Sequence, residues 1–296
     1  MEVIKIEKLT KDFGNNKGIF DVSFTVKKGE VFGFLGPNGA GKTTTIRNIM
    51  GFIKADAGKC SINGLDCFNN VSEIQKDIGY IPGEIAFMTG MTGIEFIKFM
   101  ADYRGLKDLT RAYELIKMFD LDIKGKVKKM SKGMKQKLGI VVALMHNPQI
   151  LILDEPTSGL DPLMQKTFIE LIKEEKKKGK TILISSHMFE EIEKTCTIVS
   201  IIKDGKIVAI DDIEKLKKTK NKKYTIYFNN LNKIQKFIKE ELEISKVNGN
   251  KVTVIIKNNM NKFIEILTKY DIADIEEENQ SLEDIFMEYY GGDKND

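Results

Sequence analysis

The sequence is poor in arginine and cysteine and has no long apolar run, and each scarcity disfavours a class of protein. Only three of its 296 residues are arginines, whereas sequence-specific DNA readers favour the bidentate arginine fork. The three cysteines have no CxxC or Cys/His spacing, which favours free thiols over a metal site or a disulfide. No uncharged apolar stretch approaches the roughly 18 residues that span a bilayer, and the N-terminus lacks an apolar signal core. We therefore expect a cytoplasmic chain that neither crosses a membrane nor is secreted.

The length of 296 residues exceeds what one hydrophobic core usually organises, so we expect one large domain and a smaller one. The composition changes near Asp211, where the stretch DDIEKLKKTKNKK is rich in charge, and we interpret this stretch as a linker. We assign residues 1–215 to the larger domain and residues 216–296 to a small accessory α+β domain.

Short apolar runs alternate with helical segments through the larger domain, which predicts an α/β fold with a mainly parallel sheet. Near-continuous apolar runs at 31–35, 150–153 and 181–185 are typical of strands buried on both faces. Pro162 predicts the start of a helix that ends before Gly179. The dipeptide at 204–205, Asp-Gly, predicts a hairpin turn.

The accessory domain contains segments of strand and helix character but no chemical motif. We expect a strand at 224–228, a helix at 232–240, a strand at 252–257, a helix at 260–270, a short strand, and a last helix from Ser281.

The segment GPNGAGKTT follows the first buried strand and fits the pattern G-x-x-x-x-G-K-[ST]. Its glycines let the backbone N–H groups curl toward a phosphate, and the following helix adds its positive N-terminal dipole. Lys42 supplies a charge for the β- and γ-phosphates, and the Thr43 hydroxyl is placed to ligate Mg²⁺. We therefore predict a site for ATP and Mg²⁺ formed by Gly36, Pro37, Asn38, Gly39, Ala40, Gly41, Lys42, Thr43 and Thr44.

Two carboxylates, Asp154 and Glu155, end the second buried strand, where a parallel sheet presents its functional residues. Asp154 suits Mg²⁺, and Glu155 can act as a general base toward an attacking water. Such a pair alone is a weak signal and could be a helix cap. Together with the phosphate-binding loop, it predicts ATP hydrolysis.

With these motifs the sequence resembles the ATP-binding cassette (ABC) ATPases, in particular the nucleotide-binding subunits of bacitracin-type and multidrug exporters. The segment MSKGMKQ is similar to the family signature LSGGQ, with Ser131 and Gly133 at its serine and second glycine. SGLD, ending at Asp161, resembles the D-loop, and His187 in SSHMFEE resembles the switch histidine. Phe13 falls at the aromatic position that stacks on adenine. The resemblance covers about residues 2–215.

The resemblance implies a P-loop NTPase fold in which an antiparallel β subdomain and a helical subdomain accompany the parallel sheet. It implies that Glu155 and His187 are catalytic, and that two cassettes enclose two ATP molecules, the signature of each contacting the γ-phosphate held by the other. A separate membrane permease is the implied partner, so the chain would lie peripherally on the inner face of the cell membrane. It would power export of a drug, peptide antibiotic or lipid-like substrate. The substrate itself and the choice between a homodimer and a heterodimer stay open.

One position departs from the family. A glutamine usually follows IGYIP, and this chain has Gly83 followed by Glu84. That glutamine normally contacts Mg²⁺ or the attacking water and couples the site to the permease, so both roles stay open here. Glu84 could bind a cation, but its charge would also repel the γ-phosphate. We favour a contact between Glu84 and the partner.

Two other functions stay open at this point. A soluble ABC ATPase acting on DNA or ribosomes is disfavoured, because Lys42 and Asp154 are too close in sequence to enclose a long coiled coil and the chain carries a single cassette. A regulator that binds ATP without useful hydrolysis is disfavoured because Glu155 and His187 are both present. The leading interpretation is a hydrolysing transporter subunit with no nucleic-acid partner.

Overall fold

The computed structural model describes residues 1–88, 90–218, 222–256 and 260–278, and the helix expected from Ser281 lies outside them. The chain divides into two compact units, Met1–Ile213 and a second unit that begins at Glu214. Among the described residues, no helix is both long enough and apolar enough to span a bilayer.

The first unit alternates strands and helices. Its strands are β1 (Glu2–Asp12), β2 (Gly18–Lys27), β3 (Val31–Leu35), β4 (Ala57–Ile62), β5 (Leu65–Asp66), β6 (Ile78–Ile81), β7 (Ile150–Asp154), β8 (Thr181–Ser186), β9 (Ile198–Lys203) and β10 (Lys206–Asp212). Its helices are α1 (Lys42–Ile49), α2 (Val71–Ile74), α3 (Gly93–Tyr103), α4 (Thr110–Met118), α5 (Lys132–Leu144), α6 (Pro162–Lys177) and α7 (Phe189–Thr195), and α8 (Ile213–Lys218) begins at the division.

The core is a six-stranded sheet in the order β10-β9-β3-β8-β7-β6. All neighbouring strands are parallel except β9 and β10, which form an antiparallel hairpin at Asp204-Gly205. Every residue of β3, β7 and β8 is buried, as their apolar runs require. The predicted mainly parallel sheet is therefore confirmed. Its strands β3, β6, β7 and β8 end at one edge, where a parallel sheet places its functional loops.

A second, antiparallel sheet has the order β2-β1-β4-β5. Its strand β2 alternates buried and exposed residues, as expected of a strand with one solvated face. The ring of Phe24 on β2 stacks on Phe32 at 4.9 Å and lies 5.3 Å from Phe34, both on β3. Aromatic packing therefore joins the two sheets close to the loop that follows β3.

The second unit is an antiparallel sheet in the order β12-β13-β11-β14, with strands β11 (Lys222–Phe228), β12 (Glu243–Asn248), β13 (Lys251–Ile256) and β14 (Ile272–Glu278). Its core includes side chains from two short helices, α9 (Ile234–Phe237) and α10 (Met260–Leu267). The helix expected at 232–240 is shorter, because a 3₁₀ turn at Leu231–Lys233 precedes α9. The structure also contains strand β12, which the sequence-based order did not include. The assignment of two domains stays a prediction.

Thr92 caps α3 and offers a test of local stability. Its side chain accepts a hydrogen bond from the Glu95 N–H at 3.4 Å, and the Glu95 carboxylate accepts one from the Thr92 N–H at 2.7 Å. Because Thr92→Ala removes this capping box, we expect it to lower the free energy of unfolding by about 1 kcal/mol in urea titrations. Thr167→Ala, a partly buried change inside α6, is the control. Equal losses in both variants would contradict the capping role.

Candidate active site

The loop between β3 and α1 has the conformation that its glycines permit. Gly39 and Gly41 have φ angles of +83° and +108°, in the left-handed region that favours glycine. A Cβ at Gly41 would lie 2.7 Å from the Ile19 side chain, so glycine is also needed for space. Gly41 provides no side-chain cap for α1. The first N–H groups of this helix are therefore available to an anion.

This loop borders an open cavity of about 510 Å³. Phe13 also lines it and is 55% exposed, so its ring is available for stacking. The structure thus brings the predicted adenine-stacking position and the phosphate-binding loop to one cavity. Its lining residues are Phe13, Asn16, Lys17, Gly18, Asn38, Gly39, Gly41, Lys42, Thr43, Thr44, Glu155, Asp204 and Gly205.

Lys42 is the buried cation of the site, with only 5% of its surface exposed. Its Nζ donates hydrogen bonds to the carbonyls of Gly36 at 2.6 Å and Pro37 at 3.1 Å. It also pairs with Glu155 Oε1 at 3.1 Å. A buried ammonium requires such partners, and the loop supplies them from its own backbone and from the end of β7.

Glu155 is held in an unusual backbone conformation. Its φ of 48° lies in the left-handed region, which residues other than glycine rarely adopt and which occurs disproportionately at active sites. The Glu155 N–H donates to the carbonyl of Ser185 at 3.2 Å and to its Oγ at 3.1 Å. Glu155 Oε2 lies 2.7 Å from His187 Nδ1. Lys42, Glu155 and His187 therefore form one continuous polar chain beside the cavity.

The environment of Asp154 fits a magnesium ion. Asp154 is fully buried, and its Oδ1 accepts a hydrogen bond from Ser185 Oγ. Its Oδ2 is buried without a hydrogen-bond partner in the described part of the chain. A Cβ built on Gly83 would lie 2.9 Å from Asp154 Oδ2 and 3.7 Å from Thr43 Oγ1, so both oxygens face one small space. A carboxylate and a hydroxyl oxygen suit Mg²⁺, which usually takes its other ligands from water and phosphate.

Four of the residues implied by the resemblance are not among the residues that line the cavity: Ser131, Gly133, Asp161 and His187. Of these, His187 is linked to the lining residue Glu155 by the 2.7 Å contact described above. Ser131 caps α5 by accepting a hydrogen bond from the Met134 N–H at 3.2 Å, and Asp161 caps α6. A Cβ on Gly133 would lie 2.7 Å from the Gly159 carbonyl oxygen, so the signature segment packs against the segment that follows β7.

Sequence reasoning missed the residues that support the site from behind. The Ser185 hydroxyl links Asp154 to the Glu155 backbone, as described above. The Ser186 hydroxyl donates to Glu191 Oε2 at 2.6 Å and accepts from the Met188 N–H at 3.0 Å, which braces the turn carrying His187. The available signal was the pair of serines that ends the otherwise apolar strand β8, since buried hydroxyls need partners.

A glycine-rich loop between a buried parallel strand and a helix, with an acidic pair ending a nearby strand, defines a P-loop nucleoside triphosphatase. A family model described as "ABC transporter" matches residues 19–158. The chain is 36% identical to the bacitracin transport ATP-binding protein BcrA of Bacillus licheniformis over 98% of both chains. It is 37% identical to the linearmycin resistance ATP-binding protein LnrL of Bacillus subtilis, over 70% of this chain and 68% of that protein.

Solved structures agree with this relationship. The structure described as the ATP-binding subunit of an ABC transporter has a TM-score of 0.67 and 31% identity, over 73% of this chain and 92% of that one. A dimeric bacterial ABC transporter cassette, 24% identical over 71% of this chain and 98% of its own, shares the fold with a TM-score of 0.64. The chain belongs to the ATP-binding subunits of ABC transporters. It is therefore an ATPase by family, and the predicted fold class and enzyme class are confirmed.

Lys42 should be required for nucleotide binding. We expect Lys42→Ala to weaken ATP affinity by about tenfold to a hundredfold, because a hydrogen bond to a charged group is typically worth about 1.5–3 kcal/mol. Isothermal titration with ATP measures the loss. Lys28→Ala, an exposed change in the turn before β3, is the control. Unchanged ATP affinity in a folded Lys42→Ala protein would contradict the assignment.

Glu191 should make stability depend on pH. Burial raises the pKa of its carboxyl from 4.5 to about 7, and the charge of Glu155 adds to this effect. Protonation is therefore easier in the folded chain, so the contribution of Glu191 to stability is complete below about pH 4.5 and is lost as the pH rises through about 7. The Tm of Glu191→Gln minus the Tm of the wild type should therefore increase as the pH is raised from 5 to 8. A Tm difference that does not change with pH would contradict this.

Proposed function

We propose that this chain is the ATP-hydrolysing subunit of an exporter, in which two cassettes enclose two ATP molecules and drive a separate membrane permease. The observation that carries the proposal is the polar chain Lys42–Glu155–His187 at a cavity bordered by the phosphate-binding loop. The similarity to bacitracin-transport and linearmycin-resistance proteins supports export of a drug, peptide antibiotic or lipid-like substrate.

Binding would rest on the loop and the start of α1. The free N–H groups of α1 and Lys42 Nζ would hold the phosphates, and the exposed ring of Phe13 would stack on the base. Thr43 and Asp154 would hold Mg²⁺. This ion supplies positive charge that stabilises the phosphate oxygens during displacement.

Glu155 would accept the proton of the attacking water. His187 Nδ1 orients the carboxylate through Oε2, at 2.7 Å. Oε1 pairs with Lys42 at 3.1 Å, so a phosphate that binds Lys42 would release Oε1 for proton transfer. The histidine would thus hold Glu155 in a fixed orientation through Oε2 while Oε1 of the same carboxylate accepts the proton.

The signature residues would serve a second subunit. The cap of α5 at Ser131 is a helix N-terminus with a hydroxyl, which suits an anion, and it is not part of this chain's own cavity. We propose that Ser131, Gly133 and Asp161 contact the nucleotide held by the other cassette, either a second copy or a related chain. We also propose that Glu84, which is exposed, contacts the permease and so places the chain at the inner face of the membrane.

Glu155→Gln separates ATP binding from ATP hydrolysis. Because glutamine keeps the shape of glutamate but cannot act as a base, we expect hydrolysis to fall by about 10²- to 10⁴-fold while ATP binding persists and traps a dimer. Phosphate release measures the rate, and size exclusion with ATP measures the dimer. Glu170→Gln, an exposed change on α6, is the control. A Glu155→Gln protein that stays monomeric and fully active would contradict the proposal.

Transport is tested separately by fractionation and co-expression. A membrane permease produced with the chain should retain it in the membrane fraction and raise its ATPase rate. Sedimentation with ribosomes or DNA in place of membranes would favour the soluble alternative.

A further inference from the structure

The loop that follows β6 passes close to the proposed cation site. Strand β6 is an edge strand that pairs in parallel with β7, and Ile81 lies opposite Leu153. The chain therefore reaches Gly83 beside Asp154, one residue beyond Leu153. A Cβ on Gly83 would lie 2.9 Å from Asp154 Oδ2 and 3.3 Å from its Cγ. This approach is shorter than real Cβ contacts, so a side chain at this position would force either the loop or the carboxylate to move.

The carboxylate of Asp154 is not free to move. It is fully buried, and its Oδ1 is held by the Ser185 hydroxyl, which also accepts the Glu155 N–H. Rotation of Asp154 would break a buried hydrogen bond and disturb the backbone of Glu155. Only Oδ2 is left without a partner among the described residues, and it faces the space between Gly83 and Thr43.

The backbone of Gly83 imposes no strain of its own, because its φ lies outside the left-handed range. An alanine would therefore be accepted by the backbone, and its cost would come from the added Cβ alone. The next residue, Glu84, is exposed to solvent.

We propose that Gly83 determines how this chain holds its cation: by carrying no side chain, it leaves the space between Asp154 Oδ2 and Thr43 Oγ1 to the ion and its water ligands. Position 83 then contributes no side-chain ligand, whereas related cassettes usually have a glutamine there. Asp154 and Thr43 are the protein ligands, and Gly83 is a positioning residue that acts through Asp154. This inference rests on the proposed function.

The test measures metal binding directly. The full chain is loaded with a fluorescent non-hydrolysable ATP analogue, whose affinity is measured in EDTA and in Mg²⁺, and Mn²⁺ affinity is followed by electron paramagnetic resonance. In Gly83→Ala we expect Mn²⁺ affinity to fall by about tenfold to a hundredfold, the usual effect of disturbing groups that orient metal ligands. Affinity for the analogue in EDTA should not change.

Two further variants sharpen the result. Gly125→Ala is the matched control, because a Cβ there would meet no atom within 4 Å, and it should bind Mn²⁺ as the wild type does. Gly83→Gln adds the same Cβ together with the family's amide, so we expect it to lose Mn²⁺ affinity as Gly83→Ala does.

Three outcomes would overturn the inference. They are wild-type Mn²⁺ affinity in Gly83→Ala, tighter Mn²⁺ binding in Gly83→Gln, and an equal loss of analogue affinity with and without metal. A wild-type chain that binds no analogue in either condition would refute the proposed function itself, and the EDTA measurement distinguishes that case.

Discussion

The ion pair between Lys42 and Glu155 is the interaction on which the rest of the site depends. Its two ends come from segments far apart in sequence, the loop after β3 and the end of β7, and they meet at 3.1 Å. A lysine buried to this extent would be costly without a carboxylate and the two loop carbonyls. The pair therefore stabilises the phosphate-binding loop and at the same time places Glu155, the proposed base, next to the position where the phosphates would bind.

The parallel sheet makes this meeting possible. The strands β3, β6, β7 and β8 all end at one edge, so the phosphate-binding loop, Gly83, the acidic pair and His187 follow strands that are neighbours in the sheet. The buried hydroxyl of Ser185, at the end of β8, then joins Asp154 to the backbone of Glu155. Sheet order brings the residues together, and a single serine links the Asp154 carboxylate to the backbone that carries Glu155.

The sequence identifies the candidate site where its residues are consecutive in the chain, and it misses contacts that depend on partners across the fold. The loop 36–44 is recognisable because its glycines and helix start are consecutive residues. The contacts of Ser185 and Glu191 were not predictable, because their partners lie on other strands or depend on how a turn closes. Strand β12 was missed because it is an edge strand with mostly exposed residues, so its alternation is weak.

Under the proposed function, the same ion pair gives a reason why Glu155 would act as a base only after nucleotide has bound. While Lys42 pairs with Glu155 Oε1 at 3.1 Å, that oxygen is engaged and is not available to an attacking water. A phosphate is the stronger partner for Lys42, since it carries more charge and meets the N–H groups of α1 as well. Under the proposed function, binding would therefore release the base only when its substrate is in place. Under the same proposal, Ser131 and Asp161 would add a second requirement, because they lie outside this cavity and would contact only the nucleotide of another cassette.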